Sequence, residues 1–510
     1  MTEIVIHKKN DVYAYIECDR GIAEELNDFF SLLVPGYQFT PKFKNKSWSG
    51  KIHLFRSNDR TIYLGLASYV AEFARDRDYS CSIDKNVLEQ DSRINNKLVN
   101  KFIDSLDVHC KRVKIDPYDY QRNASVHALK NRRCILKSPT SSGKSLIIYI
   151  LTRFLQKLSN DKIFIIVPTT GLVYQMYSDF EDYSSEDTWE AEQNCHQIMS
   201  GRDKQTNKQV GITNKQVVIT TWQSVFRMPM SYWNTPYVDG GMMPQAVIVD
   251  EVHLATSKSL QGIMEKLPNC AYRYGLTGTL DNLATNQLTL EGMFGKVFDV
   301  ISTRKLMDDK QVASLTIKAI MLDYTQEEKQ NMKGVKYQDE MKWLYTNNRR
   351  NDFIAKLAAV QKKNSLLLFN HKSHGREIYN KIVSLVGNKR KVYFIDGGTK
   401  AEERDAIRQR LENENDSILV ASIGTTSTGV SIKRIHSVFF CSPTKSKIRT
   451  LQSIGRGLRI SAEKTSVTLF DLCDDLSWKN HKNYSMKHFV ERAQYYDKEK
   501  FDYDITRISI

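Results

Sequence analysis

From residue 138 to 145 the chain reads Ser-Pro-Thr-Ser-Ser-Gly-Lys-Ser. The run follows a predicted strand, 134–137, and opens a predicted helix. That context makes a phosphate cradle. Backbone N–H groups around Ser138, Thr140, Ser142 and Gly143 can turn inward onto phosphate oxygens, and the helix N-terminus adds favourable potential. Lys144 is placed to reach β- and γ-phosphates, and the Ser145 hydroxyl to join a Mg²⁺ shell. Ser138 stands where the usual pattern has its first glycine. Alone, the run also fits a strand–helix turn with no ligand.

Two further groupings widen the chemistry. Residues 247–253 read Val-Ile-Val-Asp-Glu-Val-His, an apolar strand ending in adjacent carboxylates. Asp250 suits Mg²⁺, and Glu251 suits orienting and deprotonating a water. His253 is placed to pass on the state of the terminal phosphate. In 451–459, Gln452, Arg456 and Arg459 fall at helical spacings of four and three and share one face. Two guanidiniums on one face suit transition-state charge on a triphosphate. Singly, these groupings also read as a solvated strand end, a core histidine and a basic helix face. Their order on one chain points to nucleotide hydrolysis, with ATP and Mg²⁺ as the expected ligands.

The elements that must position these residues follow from periodicity. From Pro117, short β-rich runs alternate with helical segments: 134–137, 163–167, 217–220, 246–249 and 272–276. A second series follows at 365–369, 391–395, 417–421, 436–440 and 466–470. Such alternation predicts parallel sheets covered on both faces. Residues 1–110 predict a small α+β module of roughly ββαββα order, with hairpins around Lys9-Asn10 and Asn58-Asp59. A mainly helical segment is expected over 325–362, and helical texture near His488–Tyr496 predicts a helical tail from 476.

The 510 residues suffice for three or four domains. No apolar run reaches the roughly 20 residues that cross a bilayer, and the N-terminus lacks a signal-peptide pattern. A soluble, cytoplasmic protein is expected. The eight cysteines lie too far apart for a zinc or redox motif and read as reduced thiols. The net charge of +15 lowers the cost of approaching a phosphate chain, which favours nucleic acid without proving it.

With the remaining motifs in place, the chain resembles the superfamily 2 helicases of the DExH type. Tyr120-Gln121 matches the adenine-reading glutamine of that family. Pro168-Thr169, continuing to Leu172 and Gln175, resembles motif Ia, and the stretch around Thr221 resembles motif Ic. Thr277-Gly278-Thr279 resembles motif III, 366–371 motif IV, 418–431 motif V with Thr428 and Gly429, and 451–459 motif VI. The resemblance implies an α/β fold of two tandem RecA-like parallel-sheet domains, 111–310 and 311–475, between the N-terminal module 1–110 and the tail 476–510. It implies that Gln452 and Gly429 meet nucleotide, that His253, Thr277 and Thr279 couple its state, and that Pro168, Thr169, Thr221 and Thr428 meet nucleic acid.

The N-terminal module narrows this. Residues 36–51 place aromatics among lysines. As an extended strand they would align Lys42, Lys44 and Lys46 on one face to track phosphates, with Lys51 beside them and Trp48 stacking at a base step. A small aromatic core with solvated lysines is the competing reading. With the DExH core, this module is similar to the UvsW helicase family of T-even bacteriophages. That resemblance implies branched DNA and R-loops as substrates in recombination, repair and replication restart, with no membrane partner and a monomer as the acting unit in the host-cell cytoplasm. An RNA helicase with the same motor, a restriction-complex motor subunit and an ATP-gated clamp are the alternatives.

Overall fold

The computed structural model describes residues 2–88, 90–199, 214–236, 242–256, 258–280, 283–426, 434–443 and 465–510. The chain divides into two compact units. One comprises Met1–Ser138 and Gly143–Val300; the other comprises Pro139–Ser142 and Ile301–Ile510.

The first unit holds two sheets. The N-terminal sheet runs Phe55–Arg56, Thr61–Tyr63, Tyr13–Glu17, Ile4–Lys8, Cys81–Ile83. Its strands alternate as the sequence does: Ile4 and Ile6 are buried, and Ala14 and Ile16 answer them across the hairpin. The helix Arg20–Phe29 starts where the Asp19 carboxylate accepts from Ile22 N, and its Ile22, Ala23 and Leu26 cover the sheet. The hairpin expected at Asn58-Asp59 pairs only Phe55–Arg56 with Thr61–Tyr63.

The second sheet of this unit is parallel throughout, in the order Cys195–Ile198, Val217–Thr221, Lys162–Val167, Pro244–Asp250, Tyr272–Thr277, Arg133–Lys137, Val297–Asp299. The central strands Lys162–Val167 and Pro244–Asp250 are buried at every position, as a sheet covered on both faces requires. The helix Lys144–Leu155 behind the sheet is apolar almost all round, and nine of its residues are buried.

The N-terminal module is welded to this sheet domain. Gly65 and Gly292 let two backbones meet: a Cβ on Gly65 would stand 2.0 Å from the Glu291 carbonyl oxygen. Tyr63 donates to Glu265 at 2.6 Å, and Tyr69 donates to Glu291. Desolvation first, then the neighbouring carboxylate, pushes both phenols up. Asp11 N donates to Pro268 O at 2.9 Å. The module therefore rides on the helix Ala284–Phe294, the first helix after the Tyr272–Thr277 strand.

The second unit carries the other parallel sheet, ordered Lys391–Ile395, Ser417–Ser422, Ser365–Phe369, Ser437–Phe440, Ser466–Asp475, Ser314–Asp323, Tyr503–Ser509. The expected tail helix is present as Tyr484–Lys498. It is pinned by two buried carboxylates. Glu340 accepts from Asn483 Nδ2, Tyr484 N and Ser485 N, and Asp471 accepts from Arg492 and Tyr496. Beyond the helix, Tyr503–Ser509 adds an edge strand parallel to Ser314–Asp323, which periodicity alone did not signal. Among the described residues no helix is long and apolar enough to cross a membrane. None of the cysteines is in a disulfide; six are buried.

Candidate functional site

The phosphate cradle sits at the C-terminal end of Arg133–Lys137, where parallel sheets place their ligands. Ser138 N donates to Thr277 O at 2.8 Å, and Ser138 O accepts from Lys144 Nζ at 3.3 Å. Ser138 is fully buried and keeps negative φ; the left-handed residues here are Ser141 at φ +71° and Gly143 at +78°. The departure from glycine at the first position is thus tolerated, because no left-handed turn is asked of it. A Cβ on Gly143 would lie 2.3 Å from Gln121 Nε2. Gly143, the N-cap of the helix Lys144–Leu155, has no side chain to cap it. The Ser141 hydroxyl is buried and finds no partner among the described residues. A helix start with a glycine at its N-cap and an adjacent ammonium together fit a polyphosphate.

The acidic pair ends the next strand but one. Asp250 is buried; desolvation first, and the Glu251 carboxylate second, push its carboxyl up to about 6, against the pull of Lys144. An anion so destabilised suits a divalent cation. Glu251 turns the chain at φ +52°, strained for a non-glycine residue, and its N–H donates to Asp250 Oδ1 at 3.0 Å. Lys144 Nζ lies 3.9 Å from Glu251 Oε1.

His253 continues the chain of contacts. Its Nδ1 is 3.3 Å from Glu251 Oε2 and 2.7 Å from the Thr277 hydroxyl, which donates to Thr279 O at 2.8 Å. The Thr277 hydroxyl donates to Thr279 O, which leaves its oxygen free to accept from His253 Nδ1. Hydrogen bonds therefore run from His253 through Thr277 to Thr279, with Glu251 Oε2 3.3 Å from the imidazole.

Gln121 is buried in the first turn of Asp119–Asn131, where its Oε1 accepts from Tyr118 N at 2.9 Å. Tyr118 stacks on Tyr120 at 5.6 Å between ring centroids, presenting an aromatic surface beside the glutamine. Sequence reasoning missed Tyr118; an aromatic two residues before Tyr120 was its signal. It also missed Tyr183, whose hydroxyl is 2.8 Å from Ser145 Oγ. Nothing local marks Tyr183, because the partners are 38 residues apart.

Strand order separates two groups of residues along the same edge. Asp250, Thr277 and Ser138 follow three adjacent strands. Pro168-Thr169 and Thr221 follow the two strands on the other side of Asp250. Thr169 caps the helix Thr170–Tyr183 through Leu172 N, and Thr221 Oγ is 2.9 Å from Ser224 Oγ.

The lysine segment of the N-terminal module corrects an expectation. It is not an extended strand: Pro41–Lys44 is a helical turn, capped by Thr40, whose hydroxyl accepts from Phe43 N at 3.4 Å. Lys46 is left-handed at φ +55°. Lys42, Lys44 and Lys46 are exposed, but no strand pleat aligns them; Thr40-Pro41 is a helix-start pair, which overrides the alternation. Lys51 begins a short strand, Lys51–His53, paired with Ser31–Leu33. Trp48 is half-buried, with Nε1 donating to Lys51 O at 2.8 Å.

In the second unit, Ser422 Oγ lies 2.5 Å from Thr425 Oγ at the end of the Ser417–Ser422 strand. Thr428, Gly429, Gln452, Arg456 and Arg459 lie outside the described residues.

Comparison with known proteins agrees with this geometry. Residues 3–84 match the family described as DNA helicase UvsW, N-terminal. Residues 114–282 match type III restriction enzyme, res subunit, and 349–461 the helicase conserved C-terminal domain. The ATP-dependent DNA helicase uvsW of Enterobacteria phage T4 is 36% identical over 522 residues, covering 100% of both chains. The crystal structure of T4 UvsW superposes with a TM-score of 0.53 at 34% identity, again over 100% of both chains. Dbp5 of Saccharomyces cerevisiae, bound to RNA and ADP BeF3, has a TM-score of 0.50 at 15% identity over 77% of this chain and 90% of its own, a likeness of fold alone.

Proposed function

The chain belongs to the UvsW family of ATP-dependent DNA helicases, and from that premise we propose that it remodels branched DNA. It is an ATP-dependent helicase, with a nucleotide and a nucleic acid as its ligands. The finer reading is that forks, Holliday junctions and R-loops are its substrates, in recombination, repair and replication restart. One observation carries it: a lysine- and aromatic-rich loop, outside every motor motif, is built into a module welded to the first motor sheet. The acting unit is a monomer in the host-cell cytoplasm.

In this reading Lys144 and the amides after Gly143 hold the β- and γ-phosphates, and Thr140 and Ser142 shape the loop around them. Gln121 and Tyr120 read the base. Ser145 and Asp250 would hold Mg²⁺, which when bound neutralises phosphate charge. Glu251 orients and deprotonates the attacking water. His253, Thr277 and Thr279 carry the state of the site toward the helix Ala284–Phe294. Gln452, Arg456, Arg459 and Gly429 complete the triphosphate site from the second domain. Pro168, Thr169, Thr221 and Thr428 grip the nucleic-acid backbone.

The test is ATPase and strand-separation rates on forks, Holliday junctions, plain duplex, RNA–DNA hybrids and RNA duplex. Stimulation is expected to be greatest with the branched DNAs. Equal or greater activity on RNA duplex would replace this reading by an RNA helicase. Translocation on plain duplex without strand separation would favour a restriction-type motor, the reading that the match over 114–282 supports.

A further inference from the structure

Among the described residues the Ser145 hydroxyl makes one hydrogen bond, to the Tyr183 hydroxyl at 2.8 Å. The phenol oxygen in turn has Ser145 as its one partner there. The two belong to different helices. Ser145 is the second residue of Lys144–Leu155, and Tyr183 is the last residue of Thr170–Tyr183.

Packing fixes where the phenol oxygen lies. Tyr149 stands one turn after Ser145 on the same helix face. Its ring meets those of Tyr183, Phe180 and Trp189 at 5.5, 5.1 and 5.7 Å between centroids. The Tyr149 hydroxyl takes its bond from Arg153, which also pairs with Asp187 at 2.8 Å, so it does not compete for Ser145. The chain on either side of Tyr183 is tied as well. Asp182 accepts from Lys111 N at 2.7 Å, and the Ser184 hydroxyl donates to Phe180 O at 2.8 Å. Tyr183 thus reaches Ser145 from a mount built of core residues.

A phenylalanine would fill the same aromatic cluster, so packing does not account for the oxygen. A buried tyrosine hydroxyl needs a partner, and the partner here is the hydroxyl placed to join the Mg²⁺ shell. A serine hydroxyl has one proton and two lone pairs. To ligate a cation it must turn a lone pair to the metal and send its proton elsewhere. Tyr183 is the acceptor in reach for that proton, and a ligand whose proton is held keeps one orientation. Asp250, the other group assigned to the cation, accepts from Glu251 N instead.

We propose that Tyr183 is a positioning residue for the cation: it accepts the Ser145 proton and so keeps a Ser145 lone pair aimed at Mg²⁺. This rests on the assignment of Ser145 to Mg²⁺ and names the group that orients it. The test uses the full-length protein without DNA and reads binding, not turnover. Affinity for a fluorescent, non-hydrolysable ATP analogue is measured in EDTA and across a Mg²⁺ series. Tyr183→Phe should leave the EDTA affinity unchanged and the fold intact by melting temperature. It should raise the Mg²⁺ concentration for half-saturation by about 3- to 10-fold, the scale of one hydrogen bond. Ser145→Ala should raise it at least as far. Adding Tyr183→Phe to Ser145→Ala should change nothing more, because the effect runs through that hydroxyl. If Tyr183→Phe weakens binding equally with and without Mg²⁺, or adds its full effect to that of Ser145→Ala, the tyrosine only packs and the proposal is wrong. If Tyr183→Phe has no effect while Ser145→Ala does, the Mg²⁺ assignment stands without Tyr183. If Ser145→Ala leaves the Mg²⁺ series unchanged, both fall together.

Discussion

The phosphate loop at 138–145 and the lysine loop at 34–50 both offer cations to phosphate, but they are held in opposite ways. The first is tied into the core: Ser138 to Thr277, Gly143 against Gln121, Ser145 beside Tyr183. The second is tied mainly to itself, through backbone bonds between near neighbours and a two-strand ladder at its base. A site that must place one reacting phosphorus gains from being fixed by distant, buried partners, because small displacements are costly in rate. A site that grips a repeating backbone needs charge and reach, and tolerates lighter support.

Substitutions should separate the two. Glu251→Gln keeps the shape of the acid and removes the base; turnover should fall by about 10²–10⁴, with ATP binding retained in a fluorescent-nucleotide titration. Undiminished turnover would remove Glu251 from the mechanism. Lys144→Ala should lower turnover by roughly 10²–10³, the scale for losing one preorganised charge contact, with the melting temperature preserved. Normal turnover in that folded variant would refute the phosphate-loop assignment.

Between the two loops stands the weld. Gly65→Val places side-chain atoms where the Glu291 carbonyl lies. Urea unfolding should register a loss of about 1–3 kcal/mol, and strand separation should suffer more than ATP turnover. Unchanged stability would mean that the two backbones can part freely. Replacing Lys42, Lys44 and Lys46 by Ala should weaken DNA binding and flatten its salt dependence by up to about 0.9 log unit per lost phosphate contact, leaving ATPase at saturating DNA intact. An unchanged salt slope would reduce the lysine loop to scaffold.

The smallest effect concerns the N-terminal sheet. His7 is paired with Asp84 at 2.9 Å and Glu17 at 3.0 Å, and those hydrogen bonds raise it above its ordinary value. Its contribution is therefore fully present below about pH 6.5 and lost as pH rises through the raised value. The side chain is 35% exposed, so solvent screening holds the effect under about 1 kcal/mol. His7→Gln should flatten the pH dependence of unfolding in that range without altering ATPase.

Much of this was legible in the residues. Ten of the fourteen strands in the two parallel sheets announce themselves as apolar runs of strand length. The four that do not are Cys195–Ile198, Val297–Asp299, Ser314–Asp323 and Tyr503–Ser509. Three of these are sheet edges: Cys195–Ile198 and Val297–Asp299 are too short to show a pattern, and Tyr503–Ser509 is exposed over most of its length. Ser314–Asp323 alternates over its first half and is continuously buried only near its end. In the lysine loop, alternation of charge suggested a strand, while Thr40-Pro41 built a helical turn.

The sequence by itself determined the chemistry: a cradle with Lys144 and Ser145, an Asp250–Glu251 pair closing an apolar strand, and a parallel-sheet frame to carry them. Those signals are local, since spacing within a turn or strand sets which groups can meet. Tertiary structure alone decided what holds them. Gln121 against Gly143, Tyr183 on Ser145 and Gly65 on Gly292 join residues 22, 38 and 227 positions apart. No periodicity encodes such pairs, because they arise only when packed elements bring particular turns within contact distance.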